Sequence, residues 1–282
     1  MGLVENIECA TLREFVDVLS PANPTWGTGL EVPWIFRGHA NAAWELKPSA
    51  WREDGQRKLE PEFKRLSKDI ETVFVKIEER SANALSEIEK RIIKRVIVEI
   101  DAVHCFAELA DELGLSPPDA SNLLSVEKLK REPYLRKNSH YEEKLATPAA
   151  ALAQHHGIPT RLLDWTRKPF VAAYFACCEP PPEDAAPTHI AVWALNAREF
   201  SRGSTIHVLK VPRNQSEFIH AQAGLFTWHS GHEYAENHDG EWPSIVDALQ
   251  GRTEEPLLKK ITLPIGLRKA LQFHLWRERI SI

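Results

Sequence analysis

The sequence predicts an α+β fold. Helical apolar periodicity dominates the first half, short β-branched and aromatic runs dominate the second, and the two never alternate as a parallel βαβ sheet requires. The helical signal is strongest at 59–113, so 59–145 reads as a helical insertion in a single domain spanning 1–282 around a small sheet core. No internal repeat is present.

Taken in order, residues 12–19 form a short amphipathic helix, and the run SPANPTWGTGL is turn-rich. The following VPWIFRG supplies a strand at 34–37, bulky and β-branched, that ends at Gly38. Phe63, Leu66, Ile70, Val73, Phe74 and Ile77 recur at steps of three and four, as do Ile92, Val96, Ile100, Val103 and Phe106. These predict two amphipathic helices with a break at 81–86, their Glu and Lys residues forming a solvated face, and Gly114 followed by prolines as the stop. A polar connector with one short helix near Val126 leads to TPAAALAQHHG. There Thr147 can cap, Pro148 suits the first helical position, and Gly157 can close the far end, so that His155 and His156 lie in the last turn. PFVAAYFACC is a helix with Val171, Tyr174, Phe175 and Cys178 on its buried stripe. Strands are predicted at THIAVWAL, STIHVLKV, GLFTW and KKITLP, and a closing helix at 267–276.

A net charge of −5 gives no global basic field, so any phosphate contact has to come from a local patch. Cys9, Cys105, Cys177 and Cys178 lack CxxC spacing and read as reduced thiols of a cytoplasmic protein. No apolar run reaches spanning length, so no membrane association is expected.

Three stretches carry candidate chemistry. In WIFRGHANAAWELKPSAWR, Arg37 stands at a strand end next to a glycine that lets a ligand approach the backbone, as a guanidinium offered to phosphate or carboxylate would. The alternative is an arginine paired with an internal acid. His39, Trp44 and Arg52 add a donor, a stacking surface and a further cation. In AQHHGIPTRLLDWT, Arg161 and Asp164 sit in a segment that reads as a loop between two buried helices, where buried charges need partners. Either they pair and Thr166 caps the next helix, or the loop lines a cleft beside His155 or His156. Adjacent histidines point about a hundred degrees apart on a helix and no HxxxH spacing is present, so a metal site is not favoured. In FIHAQAGLFTWHSG, Gln222 can bond a sugar hydroxyl or close a backbone gap.

Together WIFRGHANAAWELKPSAWR, LAQHHGIPTRLLDWTRKPFVAAYFA and RNQSEFIHAQAGLFT resemble the FRG-domain family, named for the tripeptide that stands here as Phe36, Arg37 and Gly38. The resemblance covers about 30–275 and implies a bacterial or phage-related intracellular protein. A second, weaker similarity is to ADP-ribosyltransferases, whose parts come in a similar order. It implies an ADP-ribosyltransferase-like sheet core and NAD as donor, with Arg37, Gly38, His39 and Arg161 on the NAD side. His155, Asp164, Thr166 and Gln222 would take the catalytic side. The pattern departs at Gly224, where that enzyme class carries a glutamate that stabilises an oxocarbenium-like transition state. The reading implied is a toxin or anti-phage effector that modifies a protein or nucleic-acid acceptor and is restrained by an antitoxin or chaperone. Its rivals are a non-catalytic nucleotide or nucleic-acid binding module and a metal-dependent nuclease.

Overall fold

The computed structural model describes residues 3–27, 33–132, 140–178, 186–200, 206–209, 224–250 and 257–280. Strands in chain order are β1 (Val4–Glu8), β2 (Trp34–His39), β3 (Leu163–Thr166), β4 (His189–Asn196), β5 (Ile206–Leu209), β6 (Gly224–His229) and β7 (Leu258–Pro264). Helices are α1 (Leu12–Leu19), α2 (Glu53–Arg65), α3 (Ser67–Ser81), α4 (Glu87–Glu112), α5 (Val126–Arg131), α6 (His140–Leu145), α7 (Pro148–His155) and α8 (Pro169–Cys178). After them come α9 (His232–Asn237), α10 (Ile245–Ala248) and α11 (Arg268–Arg277). The fold is mixed α and β, with a seven-stranded sheet in the order β1-β7-β4-β2-β3-β6-β5. β1 runs parallel to β7, whereas β7 with β4, β4 with β2, and β2 with β3 are antiparallel. Among the described residues no helix is long and apolar enough to cross a membrane.

The chain divides into two compact units, Met1–Glu45 with Asp164–Thr227 and Leu249–Ile282, and Leu46–Leu163 with Trp228–Ala248. In the first unit, alternation along β2, β4 and β7 gives the sheet two different faces. One face holds Trp34, Phe36, Ile190, Val192, Ala194, Ile261 and Leu263 against α1, α8 and α11. The helix α1 is fixed by a capping box, Thr11 Oγ1 accepting from Glu14 N and the Glu14 carboxylate accepting from Thr11 N. The other face carries Ile35, Arg37 and His39 of β2 beside Leu195, Trp193 and Ala191 of β4.

The helix α8 corrects one expectation. Its inward stripe is Ala172, Ala173 and Ala176 with Val171 and Cys177, while Tyr174, Phe175 and Cys178 are only half buried. The reason lies on the strand beneath. A Cβ added to Gly38 would stand 2.0 Å from the Ala172 carbonyl oxygen and 2.6 Å from the Ala176 nitrogen. Small residues on α8 and a glycine on β2 let the two backbones touch. The close approach expected at Gly38 is therefore made by a helix, not by a ligand. All four cysteines are free, and the sulfurs of Cys177 and Cys178 lie 3.8 Å apart.

The second unit is helical and contains the expected insertion range. Its core gathers Ile70, Val73, Phe74, Ile77, Ile92, Val96 and Ile97 of α3 and α4 with Trp51, Tyr141 and Trp242. The stripe predicted as one helix over 63–77 is divided between α2 and α3 at Leu66, whose flanking backbone bonds continue the helical pattern. The α7 signals act as predicted: Thr147 Oγ1 accepts from Ala150 N at 3.1 Å, and Gly157 takes φ +88°.

Candidate functional site

The strand β2 holds Arg37 on the sheet face opposite α8, with its side chain 14% exposed. Two of its three nitrogens are committed within the first unit. Nε donates to His39 Nε2 at 3.1 Å, and Nη1 donates to the Asp164 carbonyl at 2.9 Å and to its Oδ1 at 2.5 Å. An arginine can only donate, so His39 Nε2 accepts and the imidazole is neutral. Nη2 has no acceptor among the described residues. His39 is buried and meets Trp44 edge to face at 5.9 Å.

Asp164 overturns the loop reading of its segment. It lies on β3, whose Thr166 is in register with Phe36 of β2, and its side chain is 53% exposed. A half-wet ion pair contributes little because water screens it and both side chains lose freedom. Asp164→Ala should lower stability by less than about 1 kcal/mol. A melting curve showing a loss several times larger would mean that the pair is a fold element after all. Thr166 is buried and its Oγ1 accepts from Lys168 N at 3.1 Å, a turn that precedes α8 instead of the expected cap on the helix.

Arg161 corrects the pairing most sharply. It belongs to the second unit, is 0% exposed, and does not pair with Asp164. Its Nε and Nη2 donate to the Glu99 carboxylate at 3.0 and 2.8 Å, its backbone N donates to Glu99 at 2.8 Å, and Nη1 donates to Glu142 at 3.2 Å. Burial alone would favour deprotonation, but the two carboxylates more than offset it and the pKa rises further above the arginine range. With its fork fully engaged, Arg161 is a clamp and offers nothing to a nucleotide. Trp51 and Trp242 stack at 4.8 Å beside it, its guanidinium 5.8 and 5.7 Å from their rings.

His229 sits against the same cluster, edge to face with Trp51 at 4.9 Å. Its Nε2 is 3.2 Å from the Pro243 carbonyl, which can only accept, so the neutral ring carries its proton there. Burial pulls its pKa from 6.5 to about 4, with the Pro243 carbonyl opposing and Arg161 adding to the fall. The sign follows directly: the unfolded chain takes up this proton first, so stability is complete above pH 6.5 and is lost as pH falls through 6.5 towards 4. The loss should reach about 3 kcal/mol. Urea melts at pH 7 and pH 4.5 on the native protein and on His229→Gln check this, because the variant should lose much of the acid-side slope. An unchanged slope would assign it to other groups.

His155 ends α7 in the second unit, exposed, its ring edge to face with His156 at 5.4 Å, and His156 lies 5.5 Å from Phe106. Gln222 lies outside the described residues. The structure thus brings together Arg37, His39, Asp164 and Thr166 in the first unit, and places Arg161 and His155 in the second. Sequence reasoning missed Glu99 and Glu142. For Glu99 a signal existed: a carboxylate inside the apolar run VIVEI of α4 departs from a solvated face. Among the described residues no group of three or more His, Cys, Asp and Glu side chains is placed to hold a metal ion.

The FRG-domain family model matches residues 32–185, more than half of the chain. The chain belongs to the FRG-domain family. The match takes in the Phe36-Arg37-Gly38 tripeptide, the Arg161 clamp and Asp164. In this FRG domain the tripeptide has divided labour: Phe36 fills the core, Arg37 faces the opposite side, and Gly38 seats α8. No curated protein and no solved structure matches the chain.

Proposed function

We propose that the first unit binds a nucleotide through Arg37 and uses NAD as an ADP-ribosyl donor substrate. The observation that carries the reading is the state of Arg37: oriented by His39 and Asp164 through two nitrogens, it keeps a third for an external acceptor. A guanidinium so held is pre-organised for a phosphate, with little rotamer freedom left to lose. Asp164 supplies a half-exposed carboxylate next to it, suited to a ribose hydroxyl or to positive charge developing on the ribose. His39 acts by positioning Arg37. Gln222 remains part of the proposal as a group that assists the transfer, while Arg161 and His155, which belong to the second unit, leave it. Protein or nucleic acid is the acceptor, in a toxin or anti-phage role held in check by an antitoxin or chaperone.

The test is NAD titration by calorimetry with an assay of nicotinamide release. Arg37→Lys keeps the charge and loses the fork, so NAD binding should weaken by about 1–3 kcal/mol with the melting temperature nearly unchanged. No NAD binding by the native protein sinks the reading. Gly224, standing where the enzyme class carries its glutamate, favours a second reading as a non-catalytic nucleotide-binding module. That module would bind NAD and release no nicotinamide.

A further inference from the structure

Lys260 and Trp193 lie in one cross-strand row with Arg37. The β2–β4 register pairs Arg37 with Trp193, and the β4–β7 register pairs Trp193 with Lys260. Residues paired across strands share a face, and strands lie about 4.8 Å apart, so the Cα atoms of Arg37 and Lys260 are separated by about 10 Å with the indole between them. The Lys260 side chain reaches over the ring, while the Arg37 guanidinium leans towards Asp164 on β3. The Lys260 ammonium stands 5.1 Å from the Trp193 ring centroid.

Every member of this row has a donor to spare and none offers an acceptor. The Lys260 ammonium forms no ion pair and no hydrogen bond among the described residues, and desolvation lowers its pKa. Its neighbour Lys259 differs: it points to the other face and is paired with Glu5. Trp193 is 5% exposed, and its indole N–H is buried without a partner among the described residues. An orphaned buried N–H and an unpaired, partly desolvated ammonium each cost stability, and one anion would relieve both.

We propose that Arg37, Trp193 and Lys260 form one oxyanion-binding row on the sheet face and that its ligand is the diphosphate of a small nucleotide. The inference rests on the reading that Arg37 faces a ligand phosphate, and it adds the second cation and the neutral donor which complete the site. A chain of net charge −5 in which this row holds only two cations suits a small diphosphate better than a polyanion. Two long cationic side chains rooted about 10 Å apart can both reach a ligand that carries two adjacent phosphoryl groups.

The experiment uses the full chain with ¹⁵N-labelled tryptophan, the Trp193 indole resonance being assigned by its loss in Trp193→Phe. Titration with inorganic pyrophosphate should move that resonance, and malonate should move it less. Lys260→Met should weaken pyrophosphate binding by about tenfold or more, the size of one charge-assisted contact, and Lys260→Arg should retain it. Without ligand, Lys260→Met should melt at the same temperature as the native protein or higher, because an unpaired cation has been replaced by a methylene chain of similar length. A Trp193 resonance that stays still at saturating pyrophosphate, or Lys260→Met binding as tightly as the native protein, overturns the row. If NAD binds in an Arg37-dependent way that ignores Lys260 and Trp193, the row falls and the NAD reading stands. If pyrophosphate binding depends on Lys260 but NAD does not bind, the row stands and the NAD reading falls.

Discussion

Arg161→Ala is expected to lower stability by about 3–5 kcal/mol, a large fraction of what holds an ordinary domain together. The Glu142 side chain is 0% exposed and that of Glu99 5%, so the variant would leave two carboxylates facing one another without water or counter-charge. The loss spreads beyond the pair. Glu142 also accepts from Ser230 Oγ and from Gly231 N at 3.2 Å, which joins α6 to the turn preceding α9. A fall in melting temperature on the order of 10 °C is the expected reading. The control removes the whole triad: Arg161→Met with Glu99→Gln and Glu142→Gln should recover part of the loss, since no charge then stays buried. Stability of Arg161→Ala within about 1 kcal/mol of the native protein would show that water reaches the carboxylates.

Gly38→Ala should cost on the order of 3 kcal/mol or more, at or beyond the upper end of what overpacking usually costs. The new methyl group meets backbone on both sides, the Ala172 carbonyl oxygen and the Ala176 nitrogen, and neither can rotate away as a side chain could. α8 would have to lift from β2, parting Ala172, Ala173 and Ala176 from Phe36 and shifting the strand that carries Arg37. Gly266→Ala is the matched control, because nothing lies within 4 Å of its added Cβ and its φ is ordinary. Gly38→Ala melting together with Gly266→Ala would show that α8 can move off the strand at little cost.

The sequence by itself determined the elements whose signals are local. The caps of α1 and α7, the apolar periodicity of α3 and α4, and the β-branched and aromatic runs of β2, β4 and β7 need only a few neighbouring residues to be read, because propensity and amphipathic burial act over one or two turns. It also singled out Arg37 as a candidate and carried the resemblance to the FRG-domain family. Elements that borrow their stability from distant partners were hidden. β1 has only five residues of mixed polarity and forms because β7, some 250 positions later, pairs with it. β3 has four residues and exists as a strand because β2 lies beside it. Only the tertiary structure decided which charges meet. Arg161 and Asp164 stand three apart in the chain and face different partners, Glu99 from 62 positions upstream and Arg37 from 127. Spacing along a sequence measures proximity only inside one regular element. Where the chain passes from a buried turn into a strand, the nearest opposite charge is set by packing, and a dry charge takes whichever partner the core places within reach.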